Sequence, residues 1–300
     1  MSAIVPVGGQ VGADVGPINR VATKWGRGRR RTNRAASIAA IAIALLWLFP
    51  VYWMIISAFK NEVDLETTPP QFFPTRFTLS EFTSAFHDGF LSALWVSILV
   101  SLTVVAFSMV LALFASLAVA RFRFRGRAFL LVLLLVFQMV PFEALLIPIF
   151  IELNKAGLVF TIPALIIAYI APTLPFTIWT LRGFVAGVPT EIEEAAWTDG
   201  CSRTAAFWKV LFPLIAPGLV ATSIFAYILA WNEFAYANVL TNNADATLPV
   251  WLEAFINPSR PIPWGELMAG SVLFTIPVMV FFLIIQRRLS AGMTAGAVKG

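Results

Sequence analysis

The stretch EAAWTDGCSRTAAFWKVLFP, residues 194–213, is a short polar segment lodged between two long hydrophobic runs. Just ahead of it, Thr190 and Glu193 have the spacing of a capping box, in which a hydroxyl caps a backbone N–H and the glutamate reaches back. Pro189 stops an earlier helix from running through, and Glu191 and Glu193 suit the positive end of a new one. Ile192, Ala195, Ala196 and Asp199 fall on one face at helical spacing. The alanines leave that face thin, so another surface can approach closely. Gly200 sits where a helix turns out through a left-handed residue. Ser202 starts a second helical turn, and Phe207, Trp208, Val210, Leu211 and Phe212 lead to Pro213. A short helix, a sharp turn and a second helix entering an apolar run are therefore expected.

The rest of the chain explains why that run is apolar. The protein has 300 residues, is 59% hydrophobic and 12% charged, with a mean hydropathy of +0.83. Soluble domains are about half apolar and about a quarter charged. The excess lies in runs at about 36–58, 91–119, 128–150, 162–183, 213–235 and 267–286, each near the roughly 20 residues that cross a bilayer. The expected fold is an all-α integral membrane protein with six transmembrane helices. Residues 1–35 read as a basic tail, 36–286 as the membrane domain with the 184–212 loop inside it, and 287–300 as a second tail. Pro163, Pro172 and Pro175 interrupt the fourth run. Such prolines are tolerated where neighbouring helices or water satisfy the freed carbonyls, so this helix should face protein or a pathway. The chain's one cysteine, Cys201, rules out an internal disulfide framework, and its one histidine, His87, argues against histidine-based metal or acid–base chemistry.

Charge sets the orientation. All lysines and arginines except Lys60, Arg76, Lys155 and Arg260 fall in the tails, in the loop after the second run, or in the loop after the fourth run and that run's last turn, where Arg182 lies. The positive-inside rule then puts both termini and the 184–212 loop in the cytoplasm. This charge hugs membrane boundaries, so the sequence pI near 9.7 does not indicate nucleic-acid binding. The outward loops differ in character. Residues 60–90 carry Pro69, Pro70 and Pro74 and read as a braced lid followed by an amphipathic piece with Leu79, Phe82 and Phe86. Residues 236–266 hold Trp251, Phe255 and Trp264, which are expected to anchor at the lipid interface, with contact to a partner protein or stacking on a sugar as the alternatives.

The polar loop resembles the EAA loop of the membrane subunits of ABC importers. The family pattern is Glu-Ala-Ala, three residues, Gly, nine residues, Ile, one residue, Leu-Pro. Here Glu194, Ala195, Ala196, Gly200, Val210, Phe212 and Pro213 stand at those spacings, with Val for Ile and Phe for Leu. Trp231-Asn232-Glu233-Phe234, Pro148, Pro175-Phe176 with Trp179, and the ending at residues 294–300 resemble the carbohydrate-uptake branch, which includes the maltose and glycerol-3-phosphate systems. The likeness covers about residues 36–300 and is strongest to the second, shorter permease of the pair. It implies a type I importer fold in a bacterial or archaeal plasma membrane. It also implies a heterodimeric pore with a sister permease, an extracytoplasmic solute-binding protein or lipoprotein, and two cytoplasmic ATPase subunits that push on the EAA loops. Glu193, Glu194, Ala195, Ala196, Asp199, Gly200, Val210 and Pro213 would form the coupling loop. ATP and Mg would sit on the partner ATPases, since this chain has no Gly-x-x-x-x-Gly-Lys-Ser/Thr sequence and no cofactor of its own is expected.

Gln138, Glu143, Trp231, Asn232 and Glu233 are candidates for the solute path, because ionisable and amide groups at membrane depth face a cavity or a partner. The plainer reading, that they hydrogen-bond between helices or that Glu143 and Glu233 sit at the interface, is preferred. The alternatives to a sugar importer are an ABC permease for a non-sugar solute such as a polyamine or phosphate, and an ATP-independent channel or secondary transporter. The latter leaves the glycine-hinged loop unexplained, and the chain shows no inverted repeat. No nucleophile–base set or metal spacing suggests an enzyme.

Overall fold

The computed structural model describes residues 28–296 except 243–244, 257–258 and 260; for 28–35 and 287–296 it describes the backbone alone. The tail at 1–27, Pro258, Arg260 and the ending at 297–300 lie outside the described residues. Every regular element among the described residues is helical. The chain divides into two units after Val51. The first unit contributes the larger part of helix α1 (Gly28–Ala58), and no residue in its most apolar window is buried within the chain. Trp47 is 78% exposed there. Such a surface needs lipid or another protein to cover it.

The second unit begins in the last turns of α1 and continues through α2 (Glu62–Leu65), α3 (Ser80–His87), α4 (Phe90–Arg121), α5 (Arg127–Met139) and α6 (Leu146–Lys155). Then follow α7 (Ile162–Gly187), α8 (Thr190–Thr198), α9 (Arg203–Ala206), α10 (Phe212–Trp231), α11 (Ala235–Leu240), α12 (Leu248–Glu253) and α13 (Trp264–Gly296). Five continuous helical stretches are long and apolar enough to cross a membrane: 36–58, 90–121, 162–187, 203–231 and 264–286. The third expected span is broken. Helix α5 and the Phe142–Leu145 3₁₀ turn leading into α6 meet at 93°, so six spans result only if this bent pair counts as one. Pro141 explains the break. It has no N–H to continue the ladder, and it pushes Val140 into an extended conformation, φ −72° and ψ 124°. The fifth run ends earlier than expected, at Trp231, where the Asn232 backbone N–H and side-chain Nδ2 both donate to the Ile228 carbonyl.

At the centre, α4 lies against α7 and α10. The buried face of α4 includes Ser97, Ser101, Ser108, Ala112 and Ser116, spaced at helical period. Small residues let membrane helices approach closely, and two of the hydroxyls bond to their own backbone: Ser101 Oγ donates to the Ile98 carbonyl at 3.3 Å and Ser116 Oγ to the Leu113 carbonyl at 2.9 Å. The same economy operates in α7, which stays continuous through Pro172 and Pro175 as a protein-facing helix. Thr173 Oγ1 donates to the Tyr169 carbonyl at 2.7 Å, and Thr177 Oγ1 to the Thr173 carbonyl at 2.9 Å.

The 60–90 loop is strapped down. Lys60 is 1% exposed; its ammonium lies 4.8 Å from the centre of the Trp53 ring and donates to the Gln71 carbonyl. Tyr52 Oη donates to the Phe72 carbonyl at 2.6 Å. The lid also reaches α13, where the Glu62 carboxylate accepts from the backbone N–H groups of Trp264 (2.8 Å) and Gly265 (3.0 Å). A carboxylate at the first turn is favourable there. Trp251 and Phe255 are not interfacial anchors. They are 8% and 3% exposed, packed with Phe90, and the Trp251 indole donates to the Asp88 carbonyl at 2.8 Å. The indole finds its polar partner inside the protein, so no water interface is needed. Trp264 is the outward one, 44% exposed.

Candidate functional site

The polar loop folds as a helix, a turn and a second helix. Helix α7 stops at Gly187, and Val188 (φ −86°, ψ 121°) and Pro189 (φ −57°, ψ 138°) run extended into α8. The capping box does not form. Pro189 occupies the cap position, Thr190 is already the first helical residue, and no side chain caps α8. Glu193 goes elsewhere: its Oε1 lies 2.7 Å from Arg121 Nε, and both side chains are only 12% exposed. A guanidinium competes better for a carboxylate than a backbone amide does. Arg121 also donates from Nη2 to the Val188 carbonyl at 2.9 Å.

At the other end of α8, Gly200 has φ +90°. Its N–H donates to the Trp197 carbonyl at 3.0 Å, and the Cys201 N–H donates to the Ala196 carbonyl at 2.9 Å. This is a Schellman closure, with the expected left-handed glycine. Ser202 caps α9 by accepting from the Ala205 N–H at 3.2 Å. Residues Phe207–Leu211 then widen into a π turn before α10. Pro213 cannot donate to the Lys209 carbonyl and its ring crowds it; a widened turn relieves both. The expected thin face of α8 divides. Ala196 is turned inward at 8% exposed, whereas Glu194, Ala195 and Asp199 are exposed, with Ile192 41% and Trp197 40% exposed. Val210 lies half-buried in the π turn and Pro213 is exposed.

The second feature is a cavity of about 570 Å³ where α7 faces the break between α10 and α11. Glu143, Asn232 and Glu233 line it, together with Tyr169, Thr173 and Phe234. Of the candidate path residues, two belong elsewhere. Gln138 is exposed at the end of α5, on the far side of the Pro141 break, and its Nε2 donates to the Leu134 carbonyl at 3.4 Å. Trp231 is 1% exposed and stacks with Tyr227 at 5.5 Å between ring centres, so its face is spent in the core. Glu233 has a structural task at the cavity edge. Its two oxygens accept from the Tyr236 and Ala237 N–H groups at 2.8 and 3.2 Å, restarting the helix as α11. Beside it, Phe142 stacks on Tyr236 at 4.1 Å, and Tyr236 Oη donates to the Phe142 carbonyl at 2.8 Å. Tyr169, Thr173 and Arg121 were not singled out from sequence. The first two sit in the run expected to face protein or a pathway, but nothing in it sets those two side chains apart from their neighbours, and Arg121 reads as one more positive-inside charge.

Solved structures share this architecture. A chain of a bacterial ABC transporter involved in the import of alginate superposes with a TM-score of 0.71 at 21% identity, covering 88% of this chain and 98% of that one. A chain of the MetNI methionine ABC transporter gives 0.55 at 17% identity over 70% of this chain and 97% of its own. Relatives are nearer in sequence. The diacetylchitobiose uptake system permease protein DasC of Streptomyces coelicolor is 42% identical over 88% of this chain and 96% of its own length. The trehalose transport system permease protein SugB of Mycobacterium tuberculosis is 37% identical over 91% and 100%. The trehalose/maltose transport system permease protein MalG of Thermococcus litoralis is 35% identical over 88% and 95%. Residues 108–295, which hold the 184–212 loop and the cavity together, match one family throughout, and the chain belongs to it: the binding-protein-dependent transport system inner membrane components, the permease subunits of ABC importers.

Proposed function

We propose that this chain is the second permease of a sugar importer, that it builds half of the pore with a sister permease, and that its 184–212 loop receives the stroke of two cytoplasmic ATPase subunits. The observation that carries this reading is the surface of α8. A short helix closed by a left-handed glycine holds Ile192, Glu194, Ala195 and Trp197 out from the chain, between two membrane-crossing helices. Exposed apolar residues among polar ones mark a partner site. The basic residues of the loop and its neighbours support a cytoplasmic placement for it and for both termini. The sugar is supported by three relatives named for transport of diacetylchitobiose, trehalose and maltose. The cavity suits such a solute, offering the Asn232 amide and the Glu143 carboxylate beside the Phe234 ring. ATP and Mg would be held by the ATPase subunits, and an extracytoplasmic protein would deliver the solute.

The test is Gly200→Val. A β-branched residue at φ +90° costs about 1–3 kcal/mol of backbone strain and re-aims α8. The variant should insert normally but lose most ATP-driven uptake, scored with trehalose, maltose and diacetylchitobiose in turn. Uptake equal to wild type at equal expression would contradict the coupling role. Uptake by the wild-type complex of none of the three sugars, with uptake of a polyamine or phosphate instead, would contradict the solute assignment alone.

A further inference from the structure

Resting on the coupling role just proposed, we infer that Arg121 is the positioning residue that carries motion of the coupling helix into the pore, by tying α8 to α4. The geometry is specific. Arg121 is the last residue of α4, the helix that packs along α7 and α10. Its guanidinium holds two points of the loop at once: Glu193 Oε1 at 2.7 Å, one turn into α8, and the Val188 carbonyl at 2.9 Å, in the extended linker before it. Both side chains of the ion pair are 12% exposed. The pair is covered from solvent, and the second bond, to Val188, fixes the orientation of the guanidinium, so the contact is held more firmly than a solvated pair.

Apart from the packing of Ala196 toward the π turn and α9, α8 is joined to the rest of the chain at its two ends. Its N-terminal cap is absent, and its C-terminal closure is a glycine turn. Alongside it, an open groove of about 640 Å³ runs between α8, the end of α4 and the π turn; Phe114, Phe122 and Trp208 line its far side, and Arg121 and Glu193 meet within it. A push on α8 could otherwise be absorbed by closing that space. With the bridge in place, displacement of α8 displaces the end of α4. Because α4 is continuous from Phe90, its far end lies next to the outward lid elements α3 and α12. Arg121 thus links the ATPase-facing loop to the helix that packs along α7 and α10, which line the cavity, as a rigid element biased by both ends.

The complex purified with its co-encoded sister permease, ATPases and binding protein, in lipid nanodiscs, tests this without knowledge of the solute. Phe234→Cys in a Cys201→Ser background places a thiol at the cavity, and its reaction rate with a charged maleimide is measured with and without ATP plus orthovanadate. In the wild-type background the rate should change at least about five-fold, the lower range of coupling between linked sites. Arg121→Gln and Glu193→Gln should each keep the ATPases bound and hydrolysing ATP, while the rate change falls below about two-fold. The double variant should be no worse than either single one, because the two residues form one link. Should Arg121→Gln fail to assemble, Glu193→Gln decides, since it leaves the bond from Arg121 to Val188 in place. A full rate change in Glu193→Gln, or loss of bound ATPase in that variant, overturns the proposal: the pair would then be inert or part of the docking surface. A wild-type complex whose thiol ignores ATP and vanadate would instead contradict the coupling role on which the inference rests.

Discussion

At the scale of single residues, Glu233 and Asn232 stand side by side and do different work. Glu233 spends both carboxylate oxygens on the first N–H groups of α11, whereas Asn232 uses only one amide proton on the Ile228 carbonyl and is otherwise exposed to the cavity. Glu233→Ala should therefore destabilise the chain by about 1 kcal/mol, the usual loss for a helix cap, read as a lower melting temperature of the complex. Asn232→Ala should leave melting and assembly unchanged and lower uptake several-fold, about what one lost hydrogen bond to a solute hydroxyl costs. Equal melting loss in both variants would return Asn232 to a purely structural role. Local chemistry of this kind was legible in the sequence where one residue decides the backbone: Gly200, Ser202 and Pro189 took the turn, cap and break positions their side chains dictate. It was illegible where a distant partner intervened. Nothing near Glu193 in sequence says that Arg121 will take it from the capping box, and nothing near Trp231 says that Tyr227 will cover its ring.

At the scale of elements, the helices read from hydropathy were sound in kind, right through Pro172 and Pro175, and wrong at Pro141 and at the polar end of the fifth run. Hydropathy counts apolar residues and is blind to the direction of the chain. It therefore ran one span through Pro141, where the backbone turns by 93°. It also could not see that Trp251 and Phe255 are packed inside, since lipid and protein interior look alike to an apolar side chain. How closely the elements approach is decided by small residues. A Cβ at Gly218 on α10 would lie 2.2 Å from Cγ of Phe184 on α7, so the two helices cross where only glycine fits. Gly218→Leu should overpack this crossing and cost about 1–3 kcal/mol, seen as a lower melting temperature of the purified complex. Phe184→Ala in the same chain should recover part of it, because the ring is the obstacle. A Gly218→Leu variant melting with wild type would show that the helices do not meet there.

At the scale of the whole molecule, the chain works only if its two ends differ. One end carries the strapped lid of residues 60–90 held to α13 through Glu62, and the other carries the 184–212 loop tied to α4 through Arg121. The membrane class and the loop could be read from composition and one motif. The cavity could not, because it forms where the 3₁₀ turn after α5 meets the break after α10, segments about ninety residues apart. The account stands on the loop facing the cytoplasm, where ATPases are. The chain supplies its own probe, since Cys201 is its one cysteine and lies in that loop. Intact cells treated with a membrane-impermeant maleimide should leave Cys201 unlabelled until they are lysed in detergent, whereas Thr75→Cys in a Cys201→Ser background should label before lysis. Labelling of Cys201 in intact cells, with position 75 reached only after lysis, would invert the topology and remove the basis for ATPase coupling through this loop.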